Sequence, residues 1–356
     1  MWLHYLLISI ILISGLICLQ NNSRLNKKIY LAINFLIFTM LAAFRDISIG
    51  NDTYTYFNLF KTVQNESIDV LKNRFEVGYL WLNKLLGLIS SNPQILFIIT
   101  SIIIMTGFSI LIYKYSNSVW MSVFLFYSLG YFGASMNTIR QCIAMTIIFL
   151  AYHFILENKI KLFLISVILA TTFHKTAIVF LVAYPLLKMP LNKKNIFIMI
   201  CGTLMGLLAF NKIFDLIINV FPIYSYYENG KYIEGGIKLA SIINTIVLLC
   251  IFLLGVIVQK ECSKDLTKDM QLMNKFIFIS ICISILSFKF NLLDRLSDYF
   301  SVFSIIFLPN IIKKIKQSNR RIIYIYSVIS LFFIYYTIIL HIRPEWNQIY
   351  PYKFFG

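Results

Sequence analysis

The chain has 356 residues, 59% of them hydrophobic and 13% charged, with a formal net charge of +17 and a mean hydropathy of +0.78. A soluble domain is about 45–50% apolar and about 25% charged, so this composition excludes a soluble enzyme, a disordered chain and a secreted disulfide scaffold. Lipid headgroups and the positive-inside rule account for the basic excess, and it does not call for nucleic acid as a partner.

A membrane span needs about 20 apolar residues. Runs near that length fall at 2–19, 29–44, 94–113, 119–135, 138–156, 195–213, 238–258, 273–289, 296–312 and 321–341. The first lacks a basic start and a small-x-small cleavage site, so it reads as a retained span. Residues 75–91 are amphipathic, with Glu76, Asn83 and Lys84 interrupting the apolar face. Residues 160–187 are apolar apart from Thr171-Thr172-Phe173-His174-Lys175, and read as a hairpin of two short spans. Five of the six cysteines lie in apolar runs and none forms a CxxC pair, so no disulfide or metal framework is expected.

Charge supports that topology. Loops 20–28, 114–118, 157–161, 188–194, 259–275 and 313–321 together hold 18 Lys or Arg and four acids in 52 residues. The rest of the chain holds 14 basic and 11 acidic residues. The basic loops therefore belong to the cytoplasm. The expectation is an all-α polytopic integral membrane protein, one domain over 1–356. It has about 12 transmembrane helices, within a range of roughly 10–13, and an amphipathic interfacial helix near 75–91. Outer-face loops 45–93 and 214–237 and the tail 342–356 would form the substrate cavity.

The polar residues that loops do not explain gather on that outer side. Arg45 offers a planar fork suited to phosphate oxygens, or it snorkels. Gly50-Asn51-Asp52 is turn chemistry able to present N–H groups to an anion. Tyr54 and Tyr56 are stacking surfaces for sugars or members of an aromatic belt. Arg140 opens an apolar run beside Asn137 and Gln141. An arginine in a span costs about 2.5–3.5 kcal/mol and usually faces a cavity and a partner, with Asp294 or Asp298 as structural alternatives. His174 is either a general base or a polar hairpin tip, and Asp52 is the rival base. Arg295 is a third cation, unless its flanking acids neutralise it. The tail beyond His341 is an interface anchor or a flap over the cavity. Tyrosines 224, 226, 227 and 232 could contact glycan. No GxxxxGK[ST], HExxH or GxSxG motif occurs, so ATPase, zincin and hydrolase chemistry lack support.

Five segments carry a resemblance: FRDISIGNDTYTYF (44–57), FEVGYLWLNKLL (75–86), NTIRQCIAMTIIFLAYHFILENK (137–159), ATTFHKTAIVFL (170–181) and, more weakly, DRLSDYF (294–300). In combination they resemble the EpsG family of bacterial polysaccharide polymerases, within the wider Wzy-like O-antigen and capsule polymerases. The resemblance implies a glycosyltransferase at the periplasmic face of the bacterial inner membrane. Its substrates would be oligosaccharide units on undecaprenyl diphosphate, with no cofactor and no metal, and a chain-length regulator protein is a candidate partner. His174 and Asp52 would then be the candidate catalytic groups. Arg45, Arg140 and Arg295 would hold diphosphate, and Tyr54, Tyr56, Asn137 and Gln141 would hold glycan. The alternative is a lipid-linked oligosaccharide flippase or another secondary transporter, which would need polar groups facing both sides in turn.

Overall fold

The computed structural model describes residues 1–21, 23–212, 214–215, 238–261 and 267–355. The expected glycan loop 214–237 therefore lies almost wholly outside the described residues, as does Cys262. The described chain falls into two compact units, one of residues 1–178 with 312–356 and one of residues 179–311.

The first unit begins with α1 (Trp2–Cys18) and α2 (Arg24–Ala43), the latter capped by Ser23, whose hydroxyl accepts from the Asn26 N–H. Three short helices follow: α3 (Thr53–Asn65), α4 (Ile68–Leu71) and α5 (Val77–Gly87). Then come α6 (Gln94–Tyr115), α7 (Val119–Ser128), α8 (Tyr131–Asn137), α9 (Ile139–Leu156) and α10 (Ile160–Phe173). A 3-10 segment, Lys175–Val182, leads to α11 (Ala183–Lys188) and α12 (Lys193–Leu208). The second unit continues with α13 (Leu239–Glu261), α14 (Lys268–Leu286) and α15 (Asp294–Ser301), and α16 (Ser304–Lys313) follows. The chain returns to the first unit for α17 (Ser318–Ile342).

Among the described residues, six helices are long and apolar enough to cross a membrane: α2, α6, α9, α13, α14 and α17. Two bent pairs raise this to eight, α7 with α8 at 53° and Asn291–Ser301 with α16 at 42°. The polytopic helical class is therefore established, at six to eight spans by length and composition. Apolar helices α1 and α10 are shorter, at 17 and 14 residues, and α12, in place of the expected run 195–213, has 16.

The segment 75–91 forms the 11-residue α5, too short to cross and packed against α3, α6 and α10. Its amphipathicity is inverted relative to a helix in water. Tyr79, Leu80 and Asn83 are buried, whereas Val77, Trp81, Leu85 and Leu88 are exposed. An apolar outer face costs nothing against hydrocarbon, so the polar groups turn inward.

The first unit is strongly polarised along its helices. At one end sit the starts of α2 and α17 and the junction of α9 with α10, with Lys313 Nζ donating to Asn117 O at 2.7 Å and Lys114 Nζ 2.9 Å from His153. The ends of α2, α8, α10 and α17 and the starts of α6 and α9 carry the polar loops and the tail. Within this unit, loops 20–28, 114–118, 157–161 and 313–321 therefore gather at the first end, and Arg45, Asp52, Arg140 and His174 at the second.

Candidate active site

Three helix ends meet at the second end. Glu76, extended at φ −70° and ψ 138°, precedes the first turn of α5. Arg140 lies in the first turn of α9, and His174 closes α10, its N–H donating to Ala170 O at 3.0 Å. Their side chains converge on one carboxylate. Arg140 Nη1 donates to Glu76 Oε2, His174 Nδ1 lies 3.2 Å from Oε1, and the Lys175 backbone N–H donates to the same oxygen at 3.3 Å. Glu76 and His174 side chains are 8% and 9% exposed, and Arg140 is 20% exposed, so Arg140 is the one that reaches outward. The Phe75 ring lies under its guanidinium at 5.3 Å, and the Tyr56 phenol is within its electrostatic reach.

Burial by itself would raise the Glu76 pKa, but the His174 hydrogen bond and the Arg140 charge outweigh it and hold the group at about 2. The carboxylate is therefore a fixed negative charge at neutral pH and a poor proton acceptor. A 14-residue α10 rises about 21 Å, short of a hydrocarbon layer of about 30 Å.

The meeting of α5 with α10 depends on Gly78. A Cβ there would stand 2.4 Å from Thr172 Oγ1 and 2.8 Å from Thr172 O. The hydroxyl could rotate away, but the carbonyl belongs to the helix. Gly78→Ala should therefore push α5 from α10, part Glu76 from His174, and cost roughly 1–3 kcal/mol. Thermal unfolding in detergent checks this. Removing the Thr172 hydroxyl as well should not restore stability, whereas recovery in that double variant would show that the helix backbones were not the constraint.

The Arg45 segment is built differently. Arg45 is 1% exposed. Its guanidinium donates to Ala42 O, to Met136 O at 3.3 Å and to Thr53 Oγ1 at 3.3 Å, and it lies 4.5 Å above the Phe97 ring. Facing the backbone carbonyls of Ala42 and Met136, it ties the end of α2 to the end of α8. Gly50, at φ +91°, turns the loop where a side chain would be strained and would meet Thr53 Oγ1 at 2.8 Å.

The C-terminal tail straps this loop. An antiparallel bridge joins Arg45 and Phe354. The Asp46 N–H donates to Lys353 O and the Gly50 N–H to Gln348 O, each at 3.0 Å, and the Phe355 N–H donates to Phe44 O at 2.8 Å. Asn51 Nδ2 donates to Trp346 O at 2.9 Å. Asn137, 6% exposed, accepts from the Asn51 N–H and donates to Asn347 O at 3.0 Å. The Tyr350 and Tyr127 hydroxyls are 2.8 Å apart. Of the two expectations for the tail, surface anchor or flap, the contacts show a strap on loop 44–51.

The remaining candidates scatter. Asp52 is half-buried before α3 and makes no capping hydrogen bond. Tyr54 is 64% exposed, Tyr56 is buried with its ring 5.8 Å from that of Tyr79, and Gln141 is buried on α9. Asn137 is occupied by the strap, so it holds protein rather than an exposed surface. Arg295 belongs to the other unit and is half-buried beside Asp294, whose carboxylate accepts from the Ser241 hydroxyl. The structural alternative for Arg140 was an ion pair with Asp294 or Asp298, and its ion pair is with Glu76. Glu76 was missed as a functional group. The available signal was the acid in FEVGYLWLNKLL, on a segment otherwise bare of acids.

The chain matches the EpsG family, a family of Wzy-like polymerases, over residues 28–354. It belongs to that family. Comparison with curated proteins and with solved structures gave no match.

Proposed function

We propose that this member of the EpsG family is a glycosyltransferase that joins oligosaccharide repeat units carried on undecaprenyl diphosphate, at the periplasmic face of the bacterial inner membrane, building an O-antigen, capsule or exopolysaccharide. The observation that carries this is the convergence of Arg140 and His174 on Glu76 at the non-basic end of the first unit. In the reaction the acceptor hydroxyl attacks the anomeric carbon of the donor. His174 takes the hydroxyl proton as the new glycosidic bond forms, and the bond from the anomeric carbon to the phosphate oxygen breaks. The lipid diphosphate leaves with the bonding pair, and Arg140 faces its developing negative charge.

Deletion of the gene, with surface glycan resolved on a gel, tests this. Loss of the long ladder with one capped repeat unit retained supports the polymerase. Loss of every surface unit, with lipid-linked units trapped at the cytoplasmic face, makes the protein a flippase.

The orientation carries its own expectation. With the basic loops inside, the positive-inside rule assigns loop 44–51 to the periplasmic side. With the native cysteines replaced, Ser48→Cys should react with an impermeant maleimide from outside and Asn158→Cys only after the membrane is opened. Both positions are exposed. The reverse pattern would place the Glu76 cluster in the cytoplasm and remove the periplasmic reaction.

A further inference from the structure

We propose that Glu76 is a positioning residue, which fixes the orientation and tautomer of His174 so that Nε2 is the nitrogen that accepts the acceptor's proton. The inference rests on the polymerase function proposed above and assigns a role to a residue that touches neither substrate.

The chemistry follows from the donors and acceptors present. An ionised carboxylate can only accept hydrogen bonds. With Glu76 Oε1 3.2 Å from His174 Nδ1, the hydrogen of a neutral imidazole belongs on Nδ1 and its lone pair on Nε2. Glu76 remains ionised because Arg140 holds its other oxygen. The backbone N–H of Lys175 adds a third donor from the residue after His174, which locks the carboxylate to the end of α10. Arg140 thereby has two consequences: it presents a cation outward, and it keeps Glu76 from drawing His174 into a permanent imidazolium. With one carboxylate and one guanidinium the cluster is neutral while His174 is neutral, and it carries a net positive charge only while the ring holds a second proton.

The groups around His174 make this testable by pH. Glu76 from the start of α5 is the acid against the ring, and Arg140 from α9 is the cation beside it. Tyr56 from α3 and Tyr79 from α5 are within electrostatic reach of Arg140, and Lys175 is the next residue in the chain. Glu76→Gln removes the negative charge and leaves Arg140 in place, so imidazolium becomes harder to form. An amide can also turn its N–H toward Nδ1 and select the wrong tautomer. The comparable carboxylate-to-amide change in the Ser-His-Asp triad costs on the order of 10⁴ in kcat.

The experiment uses the full chain in nanodiscs. Its substrate is the lipid-linked repeat unit extracted from a host strain lacking this gene, in which unpolymerised units accumulate. Initial rates are measured against pH for wild type, Glu76→Gln and Glu76→Asp. Glu76→Gln should lower kcat by about 10²-fold or more, leave KM little changed, and move the acid limb of the pH–rate profile down by about one unit or more. Glu76→Asp keeps the charge, so its acid limb should stay at the wild-type position while kcat falls. A Glu76→Gln protein with wild-type kcat, or one impaired only in KM with its acid limb unmoved, overturns the proposal. If Glu76→Gln fails to accumulate in the membrane, Glu76→Asp decides: an acid limb displaced from wild type overturns it, and an unmoved limb with reduced kcat upholds it. Polymerase activity itself fails separately, if wild-type protein consumes no lipid-linked unit at any pH.

Discussion

His174→Ala should stop chain growth, lowering the rate by about 10²–10⁴-fold, while the protein still reaches the membrane in normal amount. The second half of that expectation comes from the geometry. With the imidazole gone, Glu76 keeps its ion pair with Arg140, so no buried charge is stranded. His174→Gln can still donate a hydrogen bond to Glu76 but accepts a proton poorly, and it should be almost as defective. The check is ladder length in complemented cells, together with initial rate on extracted lipid-linked units. Normal polymer from the Gln variant would remove His174 as the base and transfer the role to Asp52. Asp52→Asn, on the geometry described, should leave polymer length intact.

Arg140→Ala should abolish polymer and also weaken the fold, because it leaves Glu76 with His174 and the Lys175 N–H but no permanent cation. Removing one partner of a buried ion pair costs about 3–5 kcal/mol, whereas replacing both by uncharged groups is often near neutral. Arg140→Met combined with Glu76→Gln should therefore recover most of the thermal stability lost in Arg140→Ala and none of the activity. Arg140→Lys should retain stability and remain strongly impaired, since a point charge cannot reproduce the planar fork. Full activity in the lysine variant would reduce Arg140 to a generic positive charge. Thermal unfolding in detergent and glycan gels separate these outcomes.

The helical, many-span class was legible because composition and run length are set by the solvent, and a bilayer leaves few alternatives. The break at His174 was legible too, as five polar or aromatic residues interrupting an apolar stretch. Span number was harder: α1, α10 and α12 are short helices, and hydropathy alone does not separate a short helix from a crossing. The cluster itself was half visible. Arg140 and His174 stood out as charges in apolar surroundings, but Glu76 lay in a segment whose amphipathicity was taken in the aqueous sense. Reversing that sense turns Glu76 and Asn83 inward and exposes the missing acid. The surroundings of Arg45 were not legible for a related reason. Sequence shows a cation near a membrane edge, but not the carbonyls of Ala42 and Met136 that its guanidinium meets.

The strap between loop 44–51 and the tail has a consequence in time. Asn51 and Glu345 are joined across a separation of 294 residues, and translation proceeds at about 5–20 residues per second. The early loop therefore waits roughly 15–60 s for its partner while all the intervening helices are threaded into the bilayer. Over that interval the carbonyl-binding arginine can already engage α2, but the N–H groups of Asp46 and Gly50, which pair with the tail, have only water or lipid headgroups to bond. A chain interrupted before residue 345 therefore carries loop 44–51 without its strap, and the N–H groups of Asp46 and Gly50 without the carbonyls that pair them.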